Sequence, residues 1–142
     1  MSAGDFYENQ YLDSGLGNDH SSRFPDTVYL LLATGAIADD GTGGPELDGA
    51  VSLGYERPAI TNNSTNFPDA VSSQKKNGAV ITFPNVATAD WEEATHWALV
   101  NHVTNAMDAT NVIHKGALSI PWSILNGQTA KVPVNALVIT CD

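Results

Sequence analysis

Residues 78–97 read GAVITFPNVATADWEEATHW, and no other block limits the available folds as much. A β-branched and apolar run over 79–83 stops at Pro84. A turn of small residues follows, and a second run opens at Trp91 and passes His96. Short runs punctuated by breakers suit strands rather than helices. The pattern recurs along the chain. TVYLLLAT at 27–34 reads as a central strand buried on both faces, and YERPAIT at 55–61 as an edge strand, because Pro58 cannot donate to a ladder.

The C-terminal half is the best patterned. Over 94–103, Trp97, Leu99 and Asn101 alternate with His96, Ala98, Val100 and His102. VIHKGALSI at 112–120 is the next expected strand, ended by Pro121. Asn126-Gly127 is the strongest short turn signal, after which 131–134 and 136–141 are expected to close the sheet, with Pro133 at a bulge or an edge. The polar stretch 62–77 separates strands, and 38–49 holds too many Gly, Asp and Pro residues for regular structure. Six or seven strands with at most one short helix make an all-β fold, an antiparallel β-sandwich or an open barrel.

The helix belongs at 5–16, where Phe6 and Gln10, and Tyr7 and Tyr11, stand four apart and Gly15 and Gly17 provide a stop. Its apolar face of Phe6, Tyr7, Tyr11 and Leu12 is narrow, so the segment must dock on its own domain or on a neighbour. These four residues are candidate partner contacts. The expected organisation is an N-terminal arm with a short helix, 1–26, and one β-sandwich domain, 27–142, a size that buries one core.

Only 15% of the residues are charged, so Asn, Ser, Thr and Gly must build much of the surface. Such a surface desolvates at little cost and suits lateral contact between subunits. The formal net charge of −10 repels phosphate backbones, which disfavours nucleic acid. A solvated acidic surface accounts for it, as does a basic protein partner. Cys141 is the one cysteine, so no intrachain disulfide forms. No run approaches the ~18 apolar residues of a membrane span. MSAGDFYENQ lacks the basic and apolar regions of a signal peptide, so synthesis in a host cytoplasm is expected.

Chemistry-bearing patterns are weak. The acidic loop 39–48 offers carboxylates and carbonyls to Ca²⁺ but lacks the spaced register and terminal Glu of a calcium loop, so a solvated loop is the reading. His96 and His102 share a strand face about 20 Å apart at ~3.3 Å per residue, too far to share a metal, and His114 would have to arrive from a neighbouring strand. Neither a Gly-x-Ser-x-Gly turn nor a Cys–His pair is present. Glu92-Glu93 and Asp39-Asp40 are adjacent, which on a strand sends them to opposite faces rather than across a cleft. Gly41-Thr42-Gly43-Gly44 lacks the Lys-Ser/Thr of a phosphate loop. Trp91, Trp97 and Trp122 are core candidates, with a sugar-binding face as the alternative. No catalytic residue, metal or cofactor is therefore expected.

In order along the chain, these segments resemble small virion proteins of tailed bacteriophages, often labelled tail fibre, minor structural or decoration proteins. The segments are 6–12, TVYLLLAT at 27–34, 41–46, GYERPAIT at 54–61, AVITFP at 79–84, ATADWEEATHW at 87–97, GAL at 116–118 and NALVITCD at 135–142. The resemblance implies a non-enzymatic structural protein of the virion. Its main expectation is a capsid decoration (cement) protein, a homotrimer bound to the major capsid protein. The alternative is a tail- or tail-fibre-associated module that contacts tail proteins, with host receptor or glycan binding. Glu92 and Glu93 stand where the family pattern has Gly after Trp, which adds both to the candidate partner contacts.

Overall fold

In the computed structural model the described residues are 12–17, 24–108 and 110–140. Their strands are β1 (Thr27–Ala33), β2 (Ala59–Thr61), β3 (Gln74–Lys76), β4 (Ile81–Thr82), β5 (Ala94–Val100), β6 (Val112–Trp122), β7 (Lys131–Val132) and β8 (Val138–Thr140). The fold is all-β. Four strands form a sheet in the order β2-β1-β5-β6, and β3-β8 and β4-β7 form two-stranded sheets. The chain divides into two compact units. One draws on Met1–Thr27, Ile60–Ile81 and Val132–Asp142, the other on Val28–Ala59 and Thr82–Lys131.

The larger unit is built on the antiparallel pairs β1–β5 and β5–β6. Leu31 lies opposite Ala98 and Leu30 opposite Leu99, so alternation sends these pairs to opposite faces of the sheet. All four are buried, as the uninterrupted apolar run of β1 requires. On one face Leu31, Ala33, Ala98 and Val100 join Ile37 in a cluster flanked by Tyr29, Met107 and Val112. On the other, Trp97 lies across Gly116, its cross-strand partner; a Cβ there would stand 2.9 Å from the indole. The glycine of the GAL segment is thus the floor under an aromatic ring.

β6 does not stop at Pro121. Its pairing with β5 jumps from His96↔Ala117 to Ala94↔Trp122, so residues 118–121 face a single residue of β5. Pro121 sits in that irregularity, where no N–H is needed. Asn126-Gly127 does turn the chain, with Gln128 N–H donating to the Leu125 carbonyl (3.0 Å). Within this turn positive φ falls on Gly127 (87°) and not on Asn126, the mark of a type II turn rather than a tight hairpin. The strands after it do not close the main sheet: β7 pairs with β4, and β8 pairs with β3.

Block 78–97 is less regular than expected. Only Ile81 and Thr82 of its first run are strand, and the second strand begins at Ala94 rather than Trp91. Between them the chain is laced to 124–130 by single bonds. Phe83 N–H donates to Ala130 (2.9 Å), Ala87 N–H to Gln128 (2.8 Å) and Trp91 N–H to Ile124 (2.8 Å).

In the smaller unit, the polar stretch 62–77 contains β3, paired antiparallel with β8. The inward residue of β3 is a lysine. Lys75 is 1% exposed and its ammonium meets Asp13 Oδ1 at 2.6 Å. Asp13 stands in a single helical turn over 12–15, where Leu16 N–H donates to the Leu12 carbonyl. The rest of the helix expected at 5–16 lies outside the described residues, Leu16 excepted. Two buried asparagines complete the unit. Asn62 donates to the Gly15 and Pro25 carbonyls and accepts from Gly17 N–H (2.7 Å). Asn77 donates to Ala79 and Pro133 and accepts from Leu137 N–H. Side-chain amides here replace the ladder that such short strands cannot supply.

Candidate functional site

Several acidic residues of the larger unit, Asp48, Asp90 and Glu92 among them, are tied to its backbone. Glu92 stands between Trp91 and β5, and its Oε2 accepts from Asp48 N–H (2.7 Å) and from the Ser52 hydroxyl (3.3 Å). The same hydroxyl oxygen accepts from Glu92 N–H (2.9 Å), and Ser52 is fully buried. Glu92 thereby clamps the loop 48–52 to the start of β5. Glu93 is exposed. Adjacent in sequence, the two carboxylates have different environments, although neither lies in a strand.

Trp91 anchors the same region. Its indole N–H donates to the Leu53 carbonyl (3.0 Å), and its ring meets Tyr55 edge-on at 5.5 Å and Phe83 at 5.7 Å. Phe83 also meets Trp122 at 6.1 Å. These edge-to-face contacts add to the burial of large rings. Trp91 and Trp97 are 4% and 5% exposed, so neither belongs to a sugar-binding face.

A charged centre that the sequence did not reveal lies beside this cluster. Arg57 Nε and Nη2 grip the two oxygens of Glu46 at 2.7 and 2.6 Å. Nη1 donates to the His102 carbonyl (2.7 Å) and Nη2 to that of Asn105 (2.8 Å). The Tyr55 hydroxyl donates to Glu46 Oε1 (2.8 Å) and accepts from Leu32 N–H (3.1 Å). Burial acts to lower the Arg57 guanidinium, but its bonds to Glu46 outweigh this and hold it above its ordinary value. Burial, with the Glu46 charge next, pushes the Tyr55 hydroxyl up. Tyr55 and Arg57 are two apart in the segment expected to be a strand, of which only Ala59–Thr61 is one, and that spacing was the available signal. Its partners, 9 to 48 residues away, were not.

The histidines among the described residues, His96, His102 and His114, form no metal-binding group. His102 lies beyond β5 and its Nδ1 accepts from Thr104 and Asn105 N–H (3.1 Å each). His96 Nδ1 is 2.9 Å from the Thr95 hydroxyl. Burial pushes the His114 imidazole below its ordinary value. Among the described residues no group of His, Cys, Asp and Glu is placed to hold a metal. In the acidic loop, Asp40 Oδ1 accepts from the Thr42 hydroxyl and N–H (2.5 and 2.9 Å), bonds that hold its carboxyl below the ordinary range. Asp39 pairs with Lys115 (3.0 Å).

Of the sequence's partner-contact candidates, Phe6, Tyr7 and Tyr11 lie outside the described residues. Leu12 is fully buried and has no surface to offer. Glu92 is engaged in its loop, and Glu93 faces solvent.

A family model described as podophage GP4 fiber I protein gp80 matches residues 2–140, nearly the whole chain. The chain belongs to this fibre-protein family. It is thus a small structural protein of a phage virion, and association with other virion proteins follows. The family favours the tail-fibre alternative over the capsid decoration reading. A search of curated proteins found none that matches the chain.

Proposed function

We propose that the protein is a small globular module of the fibre apparatus and works by protein–protein contact rather than catalysis. The match to the fibre family over residues 2–140 carries this reading. The chemistry of the larger unit supports it: Glu92 is held by Asp48 and Ser52, and Glu46 by Arg57 and Tyr55. Carboxylates so engaged hold loops in place; a general acid or base needs a proton-transfer partner within reach of substrate. Exposed Glu93 is a rim residue for a contact with a neighbouring virion protein. Residues 5–11, apolar at Phe6, Tyr7 and Tyr11, are the second candidate contact.

Labelling purified particles with an antibody against the chain tests the placement. Gold confined to the fibre or tail, with a copy number set by fibre symmetry, is the expected result. Gold distributed over the head, with hundreds of copies per particle, would return the protein to the capsid as a decoration protein and overturn the reading.

A further inference from the structure

Among the described residues, three that are not glycine hold positive φ: Ser72 (53°), Ser73 (58°) and Asn135 (64°). L side chains crowd the backbone there; asparagine accepts the conformation most readily, so the strain falls on Ser72 and Ser73. All three come to one place. Ser72 and Asn135 line a cleft of about 420 Å³ in the smaller unit, and Ser73 adjoins Ser72 in the chain. Ser72-Ser73 forms the centre of a two-residue hairpin, with Val71 N–H bonded to Gln74 O (2.9 Å) and Gln74 N–H to Val71 O (3.1 Å). Two positive φ angles make this turn the type for which Asn-Gly is the low-strain choice. This chain places hydroxyl side chains there instead.

The cleft is built on fixed elements. Gln74 and Lys76 line it from β3, while Lys75 between them points the other way, to Asp13. Strand alternation therefore delivers both flanking side chains to the cleft. Asn135 N–H donates to the carbonyl of Asn77 (2.9 Å), whose amide is itself bonded to Pro133 and Ala79. A strained turn, Ser72-Ser73, set against a fixed scaffold is an arrangement found at ligand clamps.

The lining sets the ligand class. Ser72, Gln74 and Asn135 each donate and accept, Asp69 accepts and Lys76 donates. Val71, 70% exposed, and Pro68 add a small apolar patch. A phosphate group calls for several cations, and this lining offers one lysine together with one aspartate. Vicinal hydroxyls call for paired donors and acceptors, and the C–H edge of a ring calls for limited apolar contact. The volume suits a ligand of about one or two rings. The geometry points to a saccharide-binding cleft formed by Asp69, Ser72, Gln74, Lys76 and Asn135. It deepens the fibre reading, on which it rests only for the setting in which the sugar is met.

The test titrates the full, isotope-labelled chain with a panel of neutral, N-acetylated and acidic mono- and disaccharides, followed by amide chemical shifts. At least one sugar is expected to shift the amides of 69–76 and 135 saturably at millimolar concentration. Asn135→Gly and Ser72→Gly keep the backbone conformation without the side chain. Each is expected to leave melting unchanged or raised and to weaken binding by about tenfold or more. Three results would overturn the assignment. They are a panel that shifts none of these amides, binding undiminished in both variants, and inorganic phosphate shifting the same amides more tightly than any sugar. Particles carrying Asn135→Gly should contain the protein in normal amount. Its loss from particles would assign the cleft to assembly instead, whereas head labelling would undo the fibre reading and leave the sugar titration untouched.

Discussion

Replacing Asp13 by Ala would leave the Lys75 ammonium, 1% exposed, without the carboxylate 2.6 Å away. Removing one partner of a buried pair costs about 3–5 kcal/mol, because the remaining charge stays desolvated. Asp13 is itself 26% exposed on its side chain, so water replaces part of the lost contact and the lower end of that range applies. Its Oδ1 also accepts from Ala70 N–H (2.8 Å), and an orphaned amide adds about 1 kcal/mol or more. The expected loss is therefore about 4 kcal/mol, a large share of the ~5–15 kcal/mol that holds a domain. Lys75→Met is the control: it fills the space of the lysine stem and leaves a partly exposed carboxylate still bonded to Ala70. It should cost less than about 2 kcal/mol.

Tryptophan fluorescence is not a local probe of this pair, because Trp91, Trp97 and Trp122 all lie in the larger unit. Hydrogen exchange at the amides of Asn62 and Asn77 can, since both are bonded inside the smaller unit. A loss of 4 kcal/mol accelerates their exchange by nearly three orders of magnitude, at about 1.4 kcal/mol per tenfold. Asp13→Ala exchanging within tenfold of the natural protein, or Lys75→Met as damaging as Asp13→Ala, would refute the reasoning. Deleting 1–17 would remove the same partner, along with the Leu12 and Leu16 side chains and the Gly15 and Gly17 backbone groups bonded to Asn62.

Two further outcomes follow from the larger unit. Gly116→Val places a Cβ 2.9 Å from the Trp97 indole and should cost about 1–3 kcal/mol in urea unfolding, with a shift in tryptophan emission; an unchanged midpoint would mean that the ring moves freely. Burial lowers the His114 pKa in the folded protein, so the unfolded chain takes up the proton first as pH falls. Stability should be level above about pH 6.5 and decline below it, at no more than about 1.4 kcal/mol per pH unit for one proton, until the folded protein also protonates. His114→Gln should flatten that segment of the pH curve, and a curve identical to that of the natural protein would show that His114 is not its source.

Elements whose cause is local were legible in the chain. β1 was legible because a run of β-branched and apolar residues with no breaker has few alternatives to a doubly buried strand, and β2 was placed at an edge by Pro58. Strand β3 was not legible. QKK carries no apolar residue, and its inward side chain is a lysine whose counter-ion lies 62 positions away. The end of β6 was misplaced because a proline is a reliable stop only where its N–H would be needed, and an irregular pairing with β5 removes that need.

By itself, the sequence determined that this chain is all-β, where its principal strands run and which virion family it belongs to. Those properties rest on side-chain period, turn chemistry and the order of motifs, all carried along the chain. Only the tertiary structure decided that Glu92 holds a loop, that Arg57 joins Glu46 to the carbonyls of His102 and Asn105, and that Ser72 and Asn135 share a cleft. Each of these depends on distant segments meeting within hydrogen-bond or contact distance. Chain closure of that kind is set by the packing of the whole unit, and no local pattern records it.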